Sequence, residues 1–127
     1  MKTFVAFVLG VLMTVAVFLS GSKTGVAQDP VASNPDMFKV LAEDERVRVI
    51  DDRVPPGAKV AMHSHPPYVV FPLSSYRMKF IFPDGTTRVV DVEAGKARIA
   101  PPIVHAEENI GTTEAHALLV ELKEPKK

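Results

Sequence analysis

Gly57-Ala58-Lys59-Val60-Ala61-Met62-His63-Ser64-His65, closed at once by Pro66-Pro67, is the stretch on which the reading of this chain turns. In an extended strand successive side chains point to opposite faces, so residues i and i+2 project together, about 7 Å apart along the chain. His63 and His65 therefore share a face and can converge on one metal ion. A third histidine, His105, lies forty residues downstream of His65, behind Gly95 and Pro101-Pro102. A near doublet and a distant single can serve one site only if two separated segments meet in the fold.

Working outward from the doublet, the chain reads as strand after strand. Residues 46–51, Arg-Val-Arg-Val-Ile-Asp, alternate charged with aliphatic side chains, the period of a sheet with one buried face. Pro55-Pro56-Gly57 breaks that run, residues 59–65 form the next, and the proline pair confines ladder pairing to what lies on either side. The extended pattern resumes over residues 68–71. Residues 77–82 and 87–92 flank Pro83-Asp84-Gly85-Thr86, a hairpin in which Asp-Gly is expected to supply positive backbone angles. Short strands are expected over 97–100 and 103–105, and a last one over 115–122. About eight short strands with Gly and Pro punctuation and almost no helical periodicity predict an all-β, antiparallel sandwich or barrel.

The 127 residues leave room for one domain. Residues 1–27 read as a signal peptide: Lys2, an apolar run over 4–19, then small and polar residues ending at Ala27. Sixteen helical residues span about 24 Å, short of the roughly 30 Å hydrocarbon core, so cleaved export is favoured over a retained membrane anchor. The mature chain is then periplasmic or secreted, with no stable membrane insertion. No twin-arginine start is present, which points to the general secretory route and to metal acquired outside the cytoplasm. Residues 28–37 are expected to be an extended N-terminal arm, 38–122 the barrel and 123–127 a polar tail. Formal charge is zero, and loss of Lys2 and Lys23 with the leader gives 13 − 15 = −2. Neither nucleic acid nor an anionic membrane is called for as a partner. Absence of cysteine excludes disulfides, thiolate zinc sites and a catalytic thiol.

The motifs that surround the histidines resemble those of the cupin superfamily. The first, Gly-X5-His-X-His-X3-4-Glu-X6-Gly, is matched by Gly57, His63 and His65, but valines stand at 69 and 70, where the glutamate is expected. The second, Gly-X5-Pro-X-Gly-X2-His-X3-Asn, is matched by Gly95, Pro101, His105 and Asn109, with its internal glycine lacking and one residue fewer before the histidine. The resemblance covers residues 38–122 and implies a single-domain cupin-type antiparallel β-barrel, a double-stranded β-helix or jelly roll. It resembles small bacterial cupins, and implies metal ligation by His63, His65 and His105 with no counterpart for the usual carboxylate. A neutral three-histidine centre leaves a divalent transition metal (Fe, Mn, Zn, Ni or Cu) its full charge and open positions for ligands.

Candidate catalytic residues beyond the metal are Tyr68, Glu107 and His116. Tyr68 follows the proline pair and is placed to line the barrel mouth. Glu107 shares the strand parity of His105, as a replacement carboxylate ligand or base, whereas Glu108 points the other way. His116 lies in an aliphatic strand and reads first as an ordinary strand histidine. Arg77, Arg88 and Arg98 would serve an anionic ligand if they faced inward, but alternation is expected to put such arginines outside. Met62 and Met78 are expected to fill the core. Three functions follow: a dioxygenase-like or other metal-assisted enzyme acting on a small molecule, a non-catalytic ligand- or metal-binding module, or a degenerate barrel used for interaction. A homodimer is plausible for so small a barrel with exposed edges.

Overall fold

The computed structural model describes residues 28–126. The expected leader, 1–27, and the last residue of the expected tail lie outside them. A four-residue helix α1 (Pro30–Ser33) precedes nine strands: β1 (Phe38–Glu43), β2 (Val47–Val54), β3 (Lys59–His65), β4 (Tyr68–Pro72), β5 (Tyr76–Ile81), β6 (Thr87–Val92), β7 (Arg98–Ala100), β8 (Ile103–Asn109) and β9 (Ala115–Leu122). They form two antiparallel sheets, ordered β1-β2-β9-β4-β7 and β3-β8-β5-β6. The inner faces carry the buried residues of each strand, such as Ile50 and Val54 of β2, Val70 of β4, Met78 of β5 and Leu119 of β9.

Each expected strand is present, with two local departures that position the site. On β3 the register against β8 shifts between Val60 and His63. This bulge lets Val60, His63 and His65 all face inward, although 60 and 63 differ in parity. Met62, expected in the core, is thereby left 36% exposed, while Met78 is buried as expected. The second departure is the β5–β6 hairpin. Only Gly85 takes a positive φ, +85°, because the loop runs over five residues and not two. Asp84 instead accepts hydrogen bonds from the backbone N–H and hydroxyl of Thr86, at 2.9 and 2.7 Å.

The arm over 28–37 is not simply extended, because Asp29 caps a helical turn by accepting from the N–H groups of Val31 and Ala32, with Pro30 at the first helical position. The turn packs between β3 and β1, the strands that end the two sheets on that side. Gln28 bridges to His63 of β3, its carbonyl accepting from Ser64 N–H at 3.0 Å. Asn34 answers the bulge, its Oδ1 accepting from Ala61 N–H at 2.8 Å. The arm thus closes one open side of the barrel.

Phe38 is the one residue of β1 that is buried, at 1% exposure, and its ring lies 5.4 Å from that of His63. Phe38→Ala should lower the unfolding free energy by about 3–5 kcal/mol, the usual cost of emptying a buried phenylalanine site. Denaturant unfolding of the full chain checks this; a loss below about 1 kcal/mol would show that β1 is not held through its first residue.

Candidate metal centre

His63 and His65 project inward from β3, and His105 stands directly opposite His63 in the β3–β8 ladder. Directly opposed residues on one face of an antiparallel pair are near neighbours, so the pairing itself brings the segments together. All three histidines are buried, and one nitrogen from each lies within 4.8 Å of the others. Ring centroids are 4.8 Å apart for His63 and His65 and 4.7 Å for His63 and His105.

Their hydrogen bonds fix which nitrogen of each ring is available. His63 Nδ1 lies 2.8 Å from the Ala61 carbonyl oxygen, an acceptor, and must donate to it. His65 Nδ1 lies 2.7 Å from Glu121 Oε1 and donates there. In the neutral rings both Nε2 atoms then carry lone pairs, and they face each other at 3.0 Å. Two acceptors at that distance repel, whereas two nitrogens bound to one ion at 2.0–2.1 Å each sit about 3–3.4 Å apart. His105 has neither ring nitrogen in a hydrogen bond. Burial pushes His63 down to about 4 and His105 down to about 3, neighbouring imidazoles adding to the effect, so both are neutral and able to ligate at pH 7. The residues present fit a divalent ion.

Behind His65 runs a chain of charges. Glu121 is 2% exposed and receives Arg48 Nε at 2.8 Å and Nη2 at 2.6 Å, and Arg48 also grips Asp29, the cap of α1. Such an outer-shell carboxylate fixes the tautomer and orientation of a ligating imidazole. Glu121 and Arg48 were not among the residues expected at the site, yet a signal existed. Glu121 is the one charged residue in parity with Ala115, Ala117 and Leu119 on the inward face of β9.

A second pair of carboxyls lies deeper in the barrel. Glu107 faces inward beside His105, as its parity predicted, with Oε1 3.4 Å from His105 Nε2 but not aligned for a hydrogen bond. Burial holds its carboxyl up to about 7. Asp52, equally unforeseen on the inward face of β2, has one carboxyl oxygen with no partner, and its carboxyl is pushed well above the usual carboxylate range by burial first and then by Glu107 and Asp51. The site therefore is not free of carboxyls. Val70 is buried in the core, paired with Leu119 and Arg98, and the position of the expected glutamate is filled by hydrocarbon.

Tyr68 lies where it was expected, its ring 4.9 Å from that of His65. His116 does not reach the site. It faces outward on β9, with Nε2 2.7 Å from Asp51 Oδ1, because its parity is opposite to that of Ala115 and Ala117. Asn109 serves structure: its side-chain amide donates to the carbonyls of Val54 and Thr113 and ties the end of β8 to the end of β2 and to the β8–β9 loop. An inner cavity of about 30 Å³, room for a water-sized group, touches Asp52, Glu107, His65 and Tyr76. Outside it, a cavity of about 250 Å³ opens between Tyr68, Phe80 and Ile103.

No protein-family profile matches the chain, and no curated protein does. Solved structures do. A cupin domain from Bordetella pertussis Tohama I is similar at 28% identity and TM-score 0.64, over 69% of this chain and 93% of that one. The chain belongs to the cupin superfamily. A cupin superfamily protein from Desulfitobacterium hafniense DCB-2 shares the fold at 17% identity and TM-score 0.52, over 69% of this cupin and 77% of its own length. A variant of oxalate decarboxylase from Bacillus subtilis shares it at 20% identity and TM-score 0.50, over 71% of this cupin but 25% of its own chain.

The buried ionisable groups oppose one another with pH in the metal-free protein. His63 and His105 take up protons near pH 6.5 when unfolded but only near 4 and 3 when folded, so the stability they favour is present above 6.5 and lost on acidification. Glu107 ionises near 4.5 unfolded and about 7 folded, so its share is present below 4.5 and lost as pH rises through 7. Glu107→Gln removes only the second dependence. Its melting temperature relative to wild type should rise between about pH 5 and about pH 8, and a constant difference across that range would contradict the assignment.

Proposed function

We propose that this cupin is an exported, metal-dependent protein in which His63, His65 and His105 hold one divalent transition-metal ion and the barrel interior carries out a metal-assisted reaction on a small molecule. The observation that carries the reading is the opposition of two Nε2 lone pairs at 3.0 Å beside an imidazole with no hydrogen bond. A bound ion of this kind supplies Lewis acidity, and in its redox-active forms electron transfer, at positions that the three imidazoles leave open. The remaining work falls to side chains. Glu121, held by Arg48, keeps the His65 ring oriented. Glu107 holds a carboxyl proton with an affinity near neutrality, at the edge of the inner cavity, where it suits general acid or base duty. Tyr68 and Phe80 shape the approach and exclude water from the histidines.

The small inner cavity favours one second reading, a module that holds metal or ligand without turnover. Elemental analysis of wild type, His63→Ala and His105→Ala, with circular dichroism to verify folding, followed by oxygen uptake with small acids, thiols and diketones, separates the two. The enzyme reading expects about one ion per chain in wild type, its loss in the variants, and metal-dependent turnover. Metal without turnover selects the module, and no metal in well-folded wild type removes both. Glu121→Gln should weaken metal affinity by about 10–100-fold while leaving all three ligands in place.

The exported address rests on the leader, and the arm is consistent with it: cleavage after Ala27 would keep the contacts that Gln28 and Asp29 make with β3 and Arg48. Expression in a Gram-negative host should give a periplasmic species whose mass begins at Gln28. A full-length cytoplasmic product would overturn the address and leave the metal site untouched.

A further inference from the structure

We propose that the mouth between β6 and β7 binds the carboxylate of a small organic acid, with Arg88 and Arg98 holding the charged end and Tyr68, Phe80 and Ile103 holding an apolar body. This deepens the preceding reading, since the far end of such a ligand would point toward the histidines. Both arginines were expected outside, and the register places them otherwise. Arg88 is paired with Phe80 and shares the face of Val90 and Val92, and Arg98 is paired with Val70. Each lies on the inward face of the strand that ends its sheet. Gly95, at φ +78°, lies in the turn that carries the chain from β6 in one sheet to β7 in the other.

The partners of the other arginines sharpen the point. Arg46, Arg48, Arg53 and Arg77 each have a carboxylate within 3.6 Å. Among the described residues, Arg88 and Arg98 have none within the 4.0 Å of an ion pair, and both line the same cavity of about 250 Å³. Arg88 instead lies over the rings of Phe80 and Phe82, at 5.8 and 6.0 Å. Two unpaired guanidinium groups at the rim of an apolar cleft raise the local concentration of anions and grip a carboxylate through paired N–H donors. The volume is below that of drug-sized pockets, which sets an upper size.

The floor restricts the class further. Asp52 and Glu107 line the inner end, which Arg98 also borders from the mouth, so a second negative charge placed past Arg98 would meet two buried carboxyls. The ligand is therefore a monocarboxylate with its charge at the mouth and an uncharged end inside.

Calorimetric titration of the full chain with benzoate, its neutral isostere benzamide and the dicarboxylate glutarate tests this, with metal content measured on the same samples. Benzoate should bind about tenfold or more tighter than benzamide, glutarate should be weaker than benzoate, and the preference should shrink at high salt. Arg88→Gln and Arg98→Gln should each reduce benzoate affinity about tenfold, whereas Arg77→Gln, which faces outward, should not. Both target arginines are exposed and unpaired, so the melting temperature serves as a check that the fold is kept. Equal affinity for acid and amide, no benzoate binding, or indifference to both substitutions would overturn the proposal. An arginine-dependent preference in a protein that takes up no metal would keep the carboxylate site and remove the metal reading. Metal uptake without that preference would do the reverse.

Discussion

The opposition of His63 and His105 across one antiparallel pair is the constraint around which the barrel is built. Three imidazoles buried together leave lone pairs that no hydrogen bond satisfies, a costly arrangement unless something cationic is held between them. The fold sustains it by fixing the rings from behind. Ala61 and Glu121 take the Nδ1 protons, Phe38 packs against two of the rings, and the bulge at 61–62 turns Val60, His63 and His65 to one side. Asn34 and Gln28 in turn occupy backbone groups of β3. The arm, the bulge and the outer carboxylate are thus parts of one support for the same three nitrogens.

How much of this could be read in the sequence depends on which physical signal carried each element. Turn residues and alternation carry the strands, since Pro55-Pro56-Gly57, Pro66-Pro67 and Gly95 mark breaks whatever the tertiary context. Parity within a strand also placed Glu107 on the face of His105 and Glu108 on the opposite one, where the structure finds it paired with Lys79. The bulge could not be read, because Met62 and Val60 are both apolar and alternation alone puts the two together on the face opposite His63 and His65, whereas only Val60 turns inward. Pairing between distant strands was equally out of reach. Arg48 opposite Glu121 is a statement about β2 and β9, and nothing local to either strand announces it.

The relocation of the carboxylates follows from that pairing. Residues 69 and 70 belong to β4, in the sheet opposite the one that carries the histidines, and Val70 there fills the core between Arg98 and Leu119. Glu107, two residues beyond His105 on the same face, puts a carboxyl next to the ligands from β8 instead. Its affinity for a proton near neutrality comes from burial, and Asp52 on the facing sheet is itself held well above the usual carboxylate range, by burial first and then by Glu107. A carboxyl held this way can exchange a proton with a ligand, something a permanently ionised side chain would not do at pH 7.

Arginine shows how strongly position decides role in so small a barrel. On the side closed by the arm, Arg48 meets Glu121 and Asp29, and its charge is spent inside the protein on orienting an imidazole. On the side between β6 and β7, Arg88 lies over the rings of Phe80 and Phe82, Arg98 reaches the edge of the inner cavity, and neither has a carboxylate within ion-pair distance among the described residues. A guanidinium left over hydrocarbon keeps its attraction for anions from outside, and the apolar walls that deny it a partner also lower the local dielectric and strengthen that attraction. The same asymmetry gives the barrel a direction: imidazoles and carboxyls that resist ionisation at the centre, an internally compensated cation behind them, and two unpaired cations at the entrance. A ligand with one charged and one uncharged end can satisfy that gradient in only one orientation, which fixes which end faces the histidines.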